Sequence, residues 1–151
     1  MKIDKFLAES PLFNLSLAYT EIIGDFQSRL AREGVHFLEA LVVTGLFFED
    51  RPVQPTELAR TFSATRSNMS HTLRSLERKG LVTRKVSDED ARAYFFSLTK
   101  GGQKLSAKLI KIFDGVENNL DENFAAKEFN WGLKLFRQTY LTLPHAGKSN
   151  S

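Results

Sequence analysis

Apolar residues recur at three- to four-residue intervals through the first third of the chain, as in an amphipathic helix. Pro11 predicts that this helix, over 7–32, begins there or is kinked, and Gly34 predicts its end. A second helix is expected after Gly34. The apolar positions of the first helix are Leu7, Phe13, Leu17, Ile22, Ile23, Phe26 and Leu30, and those of the second are Val35, Leu38, Leu41, Val42 and Leu46.

Two shorter helices are predicted next. Pro55 suits the first turn of a helix that ends near Phe62. Thr65 is a favourable N-cap for a following helix that runs to Lys79, and Gly80 can adopt the left-handed conformation that ends it. The short spacing between these two helices predicts a tight turn.

A β-hairpin and further helices complete the pattern. Two β-prone runs at 81–86 and 93–98 are joined by a charged loop, which predicts an antiparallel pair. Thr99 is expected to cap a long helix that reaches Leu120, and a last helix is expected over 125–143.

Composition limits the class of protein. The chain has 151 residues, of which 42% are hydrophobic and 11% aromatic, so it can bury a core. It contains no cysteine, which excludes a disulfide scaffold, a Cys-based zinc finger and regulation by thiol oxidation. The longest nearly apolar run, Ala40–Phe48, is about half of the ~20 residues that a membrane helix needs. A soluble protein of the cytoplasm is expected.

The charge is concentrated in the middle of the chain. Residues 1–50 hold 4 Lys or Arg against 8 Asp or Glu, residues 51–100 hold 10 against 5, and residues 101–151 hold 7 against 5. The net charge of +3 therefore hides a basic segment at 51–100. Such a segment favours a nucleic-acid surface, and a solvated face of mixed charge is the alternative.

Two short helices, a tight turn and a hairpin describe a winged helix-turn-helix, whose second helix enters a DNA major groove. Here that helix places Met69, Leu73 and Leu76 on one face. The opposite face carries no acidic or large apolar residue, and Glu77 is the one acidic residue between 66 and 79. The polar residues near that opposite face are Ser67, His71, Arg74 and Arg78.

The chemistry of this face suits DNA. Arg can donate two hydrogen bonds to guanine, Asn pairs with adenine, and Ser contacts phosphate oxygens. The helix N-terminus adds the positive end of its dipole. An ordinary amphipathic surface helix is the alternative. The predicted DNA contacts are Thr56, Thr65, Arg66, Ser67, Asn68, Ser70, His71, Arg74 and Arg92.

The sequence resembles the MarR family of winged helix-turn-helix transcriptional regulators. The first helix of the motif opens with Pro55-Thr56-Glu57-Leu58-Ala59, and the exit from the second helix is Leu73-Arg74-Ser75-Leu76-Glu77-Arg78-Lys79-Gly80-Leu81-Val82. The wing and the next helix entry carry Asp90-Ala91-Arg92 and Ser97-Leu98-Thr99-Lys100-Gly101-Gly102. Family wings often have two arginines after the Asp, where this chain has Ala91 and Arg92. Gln54 also stands where Ser or Thr would cap a helix better.

The resemblance implies a mainly α fold with a small β-hairpin, in which N- and C-terminal dimerisation helices flank a winged helix-turn-helix core. It implies a homodimer with its recognition helices about one DNA turn apart, and Arg92 at the tip of the wing. The expected divisions are a dimerisation helix at 1–34, a DNA-binding lobe at 35–100, dimerisation helices at 101–143 and a disordered tail at 144–151.

Aromatic residues at both ends suggest two further roles. A dimer core is expected from the terminal helices, although a monomeric core could use the same groups. The resemblance to MarR regulators also implies a pocket for a small aromatic or lipophilic effector between the dimer helices and the DNA-binding lobe, although simple core packing also explains the aromatics. The predicted dimer residues are Phe13, Leu17, Phe124, Phe129, Trp131, Phe136 and Tyr140, and the predicted pocket residues are Tyr19, Phe26, Phe37, Phe47 and Phe48.

Other chemistry has little support in the sequence. No nucleophile motif or phosphate-binding loop is present, and the acidic turn at 88–90 lacks the glycine and glutamate of a calcium loop. His36 lies near Glu33 and Glu39 but has no second histidine close by, so neither a metal nor another cofactor is expected. The sequence therefore predicts a transcriptional repressor that binds a pseudo-palindromic operator and is not an enzyme. The alternative is an architectural or protein-interaction module without an operator.

Overall fold

The computed structural model describes residues 2–86, 93–123, 127, 130–132, 134–135 and 138. The chain divides into two units, Met1–Phe113 and Asp114–Ser151. The elements in order are α1 (Lys2–Glu9), α2 (Pro11–Arg32), α3 (Phe37–Glu49), α4 (Pro55–Thr61), α5 (Arg66–Arg78), β1 (Val82–Val86), β2 (Tyr94–Leu98) and α6 (Lys100–Asn123).

The amino-terminal segment forms two helices, α1 and α2, where the sequence predicted one helix over 7–32. Ser10 separates them, because its hydroxyl accepts a hydrogen bond from the Phe13 N–H at 3.3 Å and Pro11 occupies the first turn of α2. The Asn14 side chain donates to the Leu7 and Ala8 carbonyls at 2.9 and 3.2 Å. These carbonyls lie at the end of α1, where partners within the helix run out. The predicted break at Pro11 is therefore confirmed, one residue after the cap.

Helices α3 and α5 begin and end within a few residues of the positions that the sequence predicts. α3 begins at Phe37, and Val35, predicted inside it, is buried just before it. The Thr65 hydroxyl accepts from the Asn68 N–H at 3.1 Å, which confirms the predicted cap of α5. This helix ends at Arg78, and Gly80 has the expected positive φ of 67°.

The wing is the predicted hairpin with one addition. β1 and β2 are antiparallel, with Val82 opposite Leu98 and Val86 opposite Tyr94. Val53, in the loop before α4, pairs with Phe96 on the free edge of β2. The Thr99 hydroxyl then accepts from the Gly102 N–H at 3.1 Å and caps α6 as predicted.

The core lies within the first unit. The predicted inner face of α5 is confirmed, because Met69, Leu73 and Leu76 are at most 1% exposed. The other apolar side chains of this core include Leu30, Val42, Val43, Leu46, Val53, Leu58, Val82, Phe96 and Leu109.

The carboxyl-terminal part of the chain is described in part. α6 extends three residues past the predicted end at Leu120. Within the range predicted as a last helix, the described residues 127, 130–132, 134–135 and 138 are helical. The predicted tail at 144–151 lies outside the described residues. Across the described part of the chain, every helix is too short or too polar to span a membrane.

Candidate nucleic-acid interface

The outer face of α5 is a continuous polar surface. Ser67, His71, Arg74 and Arg78 are exposed, directly opposite the buried face of the same helix. At the carboxyl half of α5, a shallow depression is lined by His71, Arg74, Arg78 and the acidic Glu77. The face predicted for DNA contact is therefore presented to solvent on a helix that the core holds in place.

The first turn of α5 carries the groups best suited to an anion or a base edge. Arg66, Ser67 and Asn68 are exposed there, and the turn contains no acidic residue. Thr65 uses its hydroxyl as the cap acceptor, so its side chain has a structural role. The positive end of the helix dipole is therefore not neutralised by a side chain within this turn.

Arg74 is held against its own helix. Its Nε donates to the Ser70 carbonyl at 3.3 Å, and its guanidinium also reaches the Ser70 hydroxyl at 3.4 Å. Ser70 itself is half-buried. These contacts limit the rotamers of Arg74 and aim its side chain toward the amino-terminal half of α5.

Thr56 lies one helix earlier, on α4. Its hydroxyl donates to the Gln54 Oε1 at 3.4 Å, and both residues are exposed. The Gln54 side chain makes no cap hydrogen bond with α4, as its poor capping propensity predicts.

The wing adds basic residues that the sequence reasoning did not select. Arg84 and Lys85 are exposed on β1, and the Arg84 guanidinium lies 4.2 Å from the centre of the Tyr94 ring. The register brings these two together, because Tyr94 is opposite Val86, two residues beyond Arg84. The basic character of the run at 81–86 could have identified them. Arg92, predicted at the wing tip, lies outside the described residues.

An ion pair between the partly exposed Lys79 and the buried Glu39 supports α5 on the side away from its outer face. The Lys79 ammonium group donates to Glu39 at 2.6 and 2.8 Å and to the Gly34 carbonyl at 2.8 Å. Burial alone would raise the pKa of Glu39, but hydrogen bonds from Lys79, the His36 N–H and the Ser75 hydroxyl, with the charge of Lys79, outweigh it and lower that pKa. Glu39 is therefore a structural carboxylate, which the sequence reasoning had considered only as a metal ligand. The described residues contain no cluster of potential metal ligands.

The predicted dimer residues fall into two groups. Phe13 and Leu17 are exposed on α2 at 38% and 49%. Trp131, in the second unit, is also exposed. Apolar neighbours of the α2 residues are exposed as well, namely Phe6, Leu12, Leu15 and Tyr19. The other predicted dimer residues, Phe124, Phe129, Phe136 and Tyr140, lie outside the described residues.

The predicted pocket residues lie at different places in the described part of the chain. Phe26 is buried and packs its ring on Phe37 and Phe113, with centroids 5.6 and 4.9 Å apart. Phe47 and Phe48 are exposed at the other end of α3, where their rings meet edge to face.

A cleft of about 350 Å³ does lie beside Phe47. It includes none of the other predicted pocket residues, and Tyr19 is exposed on α2. The residues that line this cleft are Leu46, Phe47, Asp50, Arg51, Pro52, Ser97, Leu98 and Gln103.

Thr44 is a polar group that the sequence reasoning missed. Among the described residues, its hydroxyl is the one buried side-chain oxygen or nitrogen without a hydrogen-bond partner. It is on the same side of α3 as Phe37 and Phe48, which are seven residues before it and four residues after it.

Comparisons with known proteins agree with this architecture. Residues 35–102 match the family model of a winged helix DNA-binding domain. MepR of Staphylococcus aureus, in complex with DNA, superimposes with a TM-score of 0.82 at 22% identity, over 89% of this chain and 98% of MepR. The transcriptional regulator BldR of Sulfolobus solfataricus gives 0.72 at 21% identity, over 92% and 99%.

A third similar structure contains a small molecule. CouR of Rhodococcus jostii RHA1, bound to p-coumaroyl-CoA, has a TM-score of 0.80 at 19% identity, over 91% of this chain and 96% of CouR. No curated protein sequence matches the chain.

Proposed function

We propose that the chain is a transcriptional repressor of the MarR type, because residues 35–102 match the model of a winged helix DNA-binding domain and the fold is similar to that of MepR in complex with DNA. In this proposal it acts in the cytoplasm as a homodimer on a pseudo-palindromic operator. The segments 1–34 and 101–143 form the dimer, and 35–100 form the DNA-binding lobe.

One observation carries the proposal: the outer face of α5 in its winged-helix setting. Its exposed Arg66, Asn68 and Arg74 are residue types that distinguish base pairs in the major groove. Ser67 and the basic strand residues Arg84 and Lys85 suit phosphate contacts, which set the position of a protein on DNA. MepR, which has the same fold, was crystallised with DNA.

Dimerisation is supported by the apolar surface of the first two helices. The exposed Phe6, Leu12, Phe13, Leu15 and Leu17 are more large apolar groups than a solvated surface usually carries in one short segment. A second copy would remove them from water. It would also supply the second recognition helix that a pseudo-palindromic site requires.

We also propose that an aromatic or lipophilic effector releases the DNA. Phe37, Thr44 and Phe48 provide an apolar face with one unpaired buried hydroxyl, which such a ligand could use as a hydrogen-bond partner. CouR binds an aromatic acyl thioester in the same fold. An effector of this kind acts only if it binds the released conformation more tightly than the DNA-bound one.

Selection of DNA fragments by the purified full-length protein, followed by sequencing, tests the function. The expected result is a shared inverted repeat whose half-sites lie about one helical turn apart. Binding that depends on salt but not on sequence would favour the alternative of an architectural module. A complete lack of DNA binding would favour a protein-interaction module.

A further inference from the structure

The carboxyl end of α5 is fastened to the junction between α2 and α3. Lys79 follows the last residue of α5, and its ammonium group donates to the Gly34 carbonyl and to both carboxylate oxygens of Glu39, at 2.6–2.8 Å. The His36 N–H donates to the same carboxylate at 2.9 Å. We call Lys79 and Glu39, with these two backbone groups, the Lys79–Glu39 clamp.

The clamp differs from the other described ion pairs in burial and in what it connects. The Glu39 side chain is 5% exposed, and the Lys79 side chain is 33% exposed. In contrast, Lys108 and Glu33 form a pair of similar length, 2.8 Å, with 65% and 26% of their side chains exposed. A carboxylate buried as deeply as Glu39 is strongly destabilised when it loses its cation, so the clamp resists opening.

The position of the clamp gives it a geometrical role. Gly34 lies two residues after the end of α2, and Glu39 is in the first turn of α3. Lys79 therefore links α5 to the end of α2, the helix that carries the exposed Phe13 and Leu17. A change in the direction of α2 would reach the recognition helix through this contact.

We propose that Lys79 and Glu39 are positioning residues, which fix the direction of α5 relative to α2 and thereby the selectivity of the protein for its DNA site. This inference rests on the proposed DNA-binding function. Specific recognition needs both recognition helices in register with successive major grooves. Non-specific binding depends on charge and tolerates a tilted helix. An open clamp therefore reduces the preference for the operator more than the affinity for any DNA.

Two pairs of variants test the proposal with matched charges. Lys79→Met is compared with Lys108→Met, and Glu39→Gln with Glu33→Gln, by measuring affinity for the selected site and for unrelated DNA. We expect the ratio of the two affinities to fall about 5- to 20-fold in Lys79→Met, less in Glu39→Gln, and to stay unchanged in both controls. Measurements well below the unfolding temperature of each variant keep unfolding out of the ratio.

A second measurement does not depend on DNA. Since the chain has no native cysteine, spin labels can be placed on cysteines introduced at the exposed Gln27 and Glu77, and labelled chains diluted with unlabelled ones. Opening the clamp in Lys79→Met should broaden the distance distribution between α2 and α5, and Lys108→Met should not.

The two measurements separate the possible failures. An unchanged distance distribution in Lys79→Met overturns the clamp as a positioning device, whatever the protein binds. A broadened distribution with an unchanged affinity ratio overturns its role in selectivity. A parent protein without any preferred DNA site contradicts the proposed function and the selectivity role together, and the spin-label distances still decide whether the clamp positions α5.

Discussion

The Val53 N–H donates a hydrogen bond to the Phe96 carbonyl at 3.0 Å, and the Phe96 N–H donates one to the Val53 carbonyl at 2.9 Å. Both side chains are almost fully buried. The exchange makes the loop before α4 a third, one-residue strand on the edge of the wing. The wing is thereby joined to the start of the helix-turn-helix by two backbone hydrogen bonds and by the packing of two buried side chains.

Removal of the Phe96 side chain should therefore destabilise the whole lobe. Phe96→Ala is expected to lower the free energy of unfolding by about 3–5 kcal/mol, because it leaves a cavity beneath both strands. Phe95→Ala, a neighbouring side chain that is only partly buried, serves as the control. Urea denaturation at one protein concentration measures both losses, and equal losses would contradict the assigned role of Phe96.

The sequence predicted the features that depend on local chemistry. Thr65, Gly80 and Thr99 act at helix ends within a few residues of where they stand, so capping rules located them. The first helix was predicted as a single element with its start or kink at Pro11, because apolar periodicity continues across the break. Ser10 ends that continuity through a hydrogen bond that periodicity does not detect.

Contacts between distant residues could not be predicted in the same way. Lys79 and Glu39 are 40 residues apart in the chain, and both are residue types that usually lie on a solvated surface. Only the packing of α3 against α5 makes Glu39 a buried partner. The candidate DNA-binding face was accessible to sequence reasoning because it is defined by one helix. The five predicted pocket residues come from two helices, and their ring contacts form two separate pairs, Phe26 with Phe37 and Phe47 with Phe48.

Substitution by alanine should affect stability differently at two adjacent glycines in the first turn of α6, Gly101 and Gly102. A Cβ at Gly102 would lie 2.1 Å from the Leu81 carbonyl oxygen, which the Thr99 N–H already holds at 3.1 Å. At Gly101 the nearest atoms are 3.4 Å away. Gly102→Ala should destabilise the protein, and Gly101→Ala should be neutral or stabilise it by up to about 1 kcal/mol through its helix propensity. Thermal unfolding of the two variants measures the difference, and stabilisation of Gly102→Ala would contradict this packing.

The stabilising effect of Glu39 should depend on pH in a defined direction. Its pKa in the folded protein is below the ordinary value of 4.5, despite burial, because Lys79, His36 and Ser75 donate hydrogen bonds to the carboxylate. A lowered folded-state pKa means that the contribution is present above the ordinary value and is lost as the pH falls through the folded-state value.

Comparison of the parent protein with Glu39→Gln isolates this contribution. The difference in unfolding free energy should be constant from about pH 7 to 5 and should shrink below the ordinary carboxylate pKa. Urea denaturation across this range gives the difference. A difference that stays constant down to about pH 3 would mean that the carboxylate is not preferentially ionised in the folded state.

Arg92 should contribute to binding without selecting a sequence. The resemblance to the MarR family predicts Arg92 at the wing tip, where it would add one positive charge beside the phosphates or the minor groove, so Arg92→Ala should weaken binding to every DNA sequence. The slope of log affinity against log salt should decrease by about 1. Lys134→Ala, which removes the same charge from an exposed position in the second unit, is the control. A salt slope that is equal in the parent protein and Arg92→Ala would remove Arg92 from the interface.

Arg66 and Arg74 should instead select individual bases. If each donates to a base edge, Arg66→Ala or Arg74→Ala lowers operator affinity by about 1–3 kcal/mol and relaxes the preference at one position of each half-site. Arg32→Ala removes an equal charge at the exposed end of α2 and should leave that preference intact. Repeating the DNA selection with each variant identifies the relaxed position.

Because Arg74 is held by Ser70 at 3.3 Å, Arg74→Lys should lose the preference as well, since a flexible ammonium group cannot reproduce the fixed pair of donors. If Arg66→Ala, Arg74→Ala and Arg74→Lys all keep the base preference of the parent protein at every position of the site, α5 is not the helix that contacts the bases.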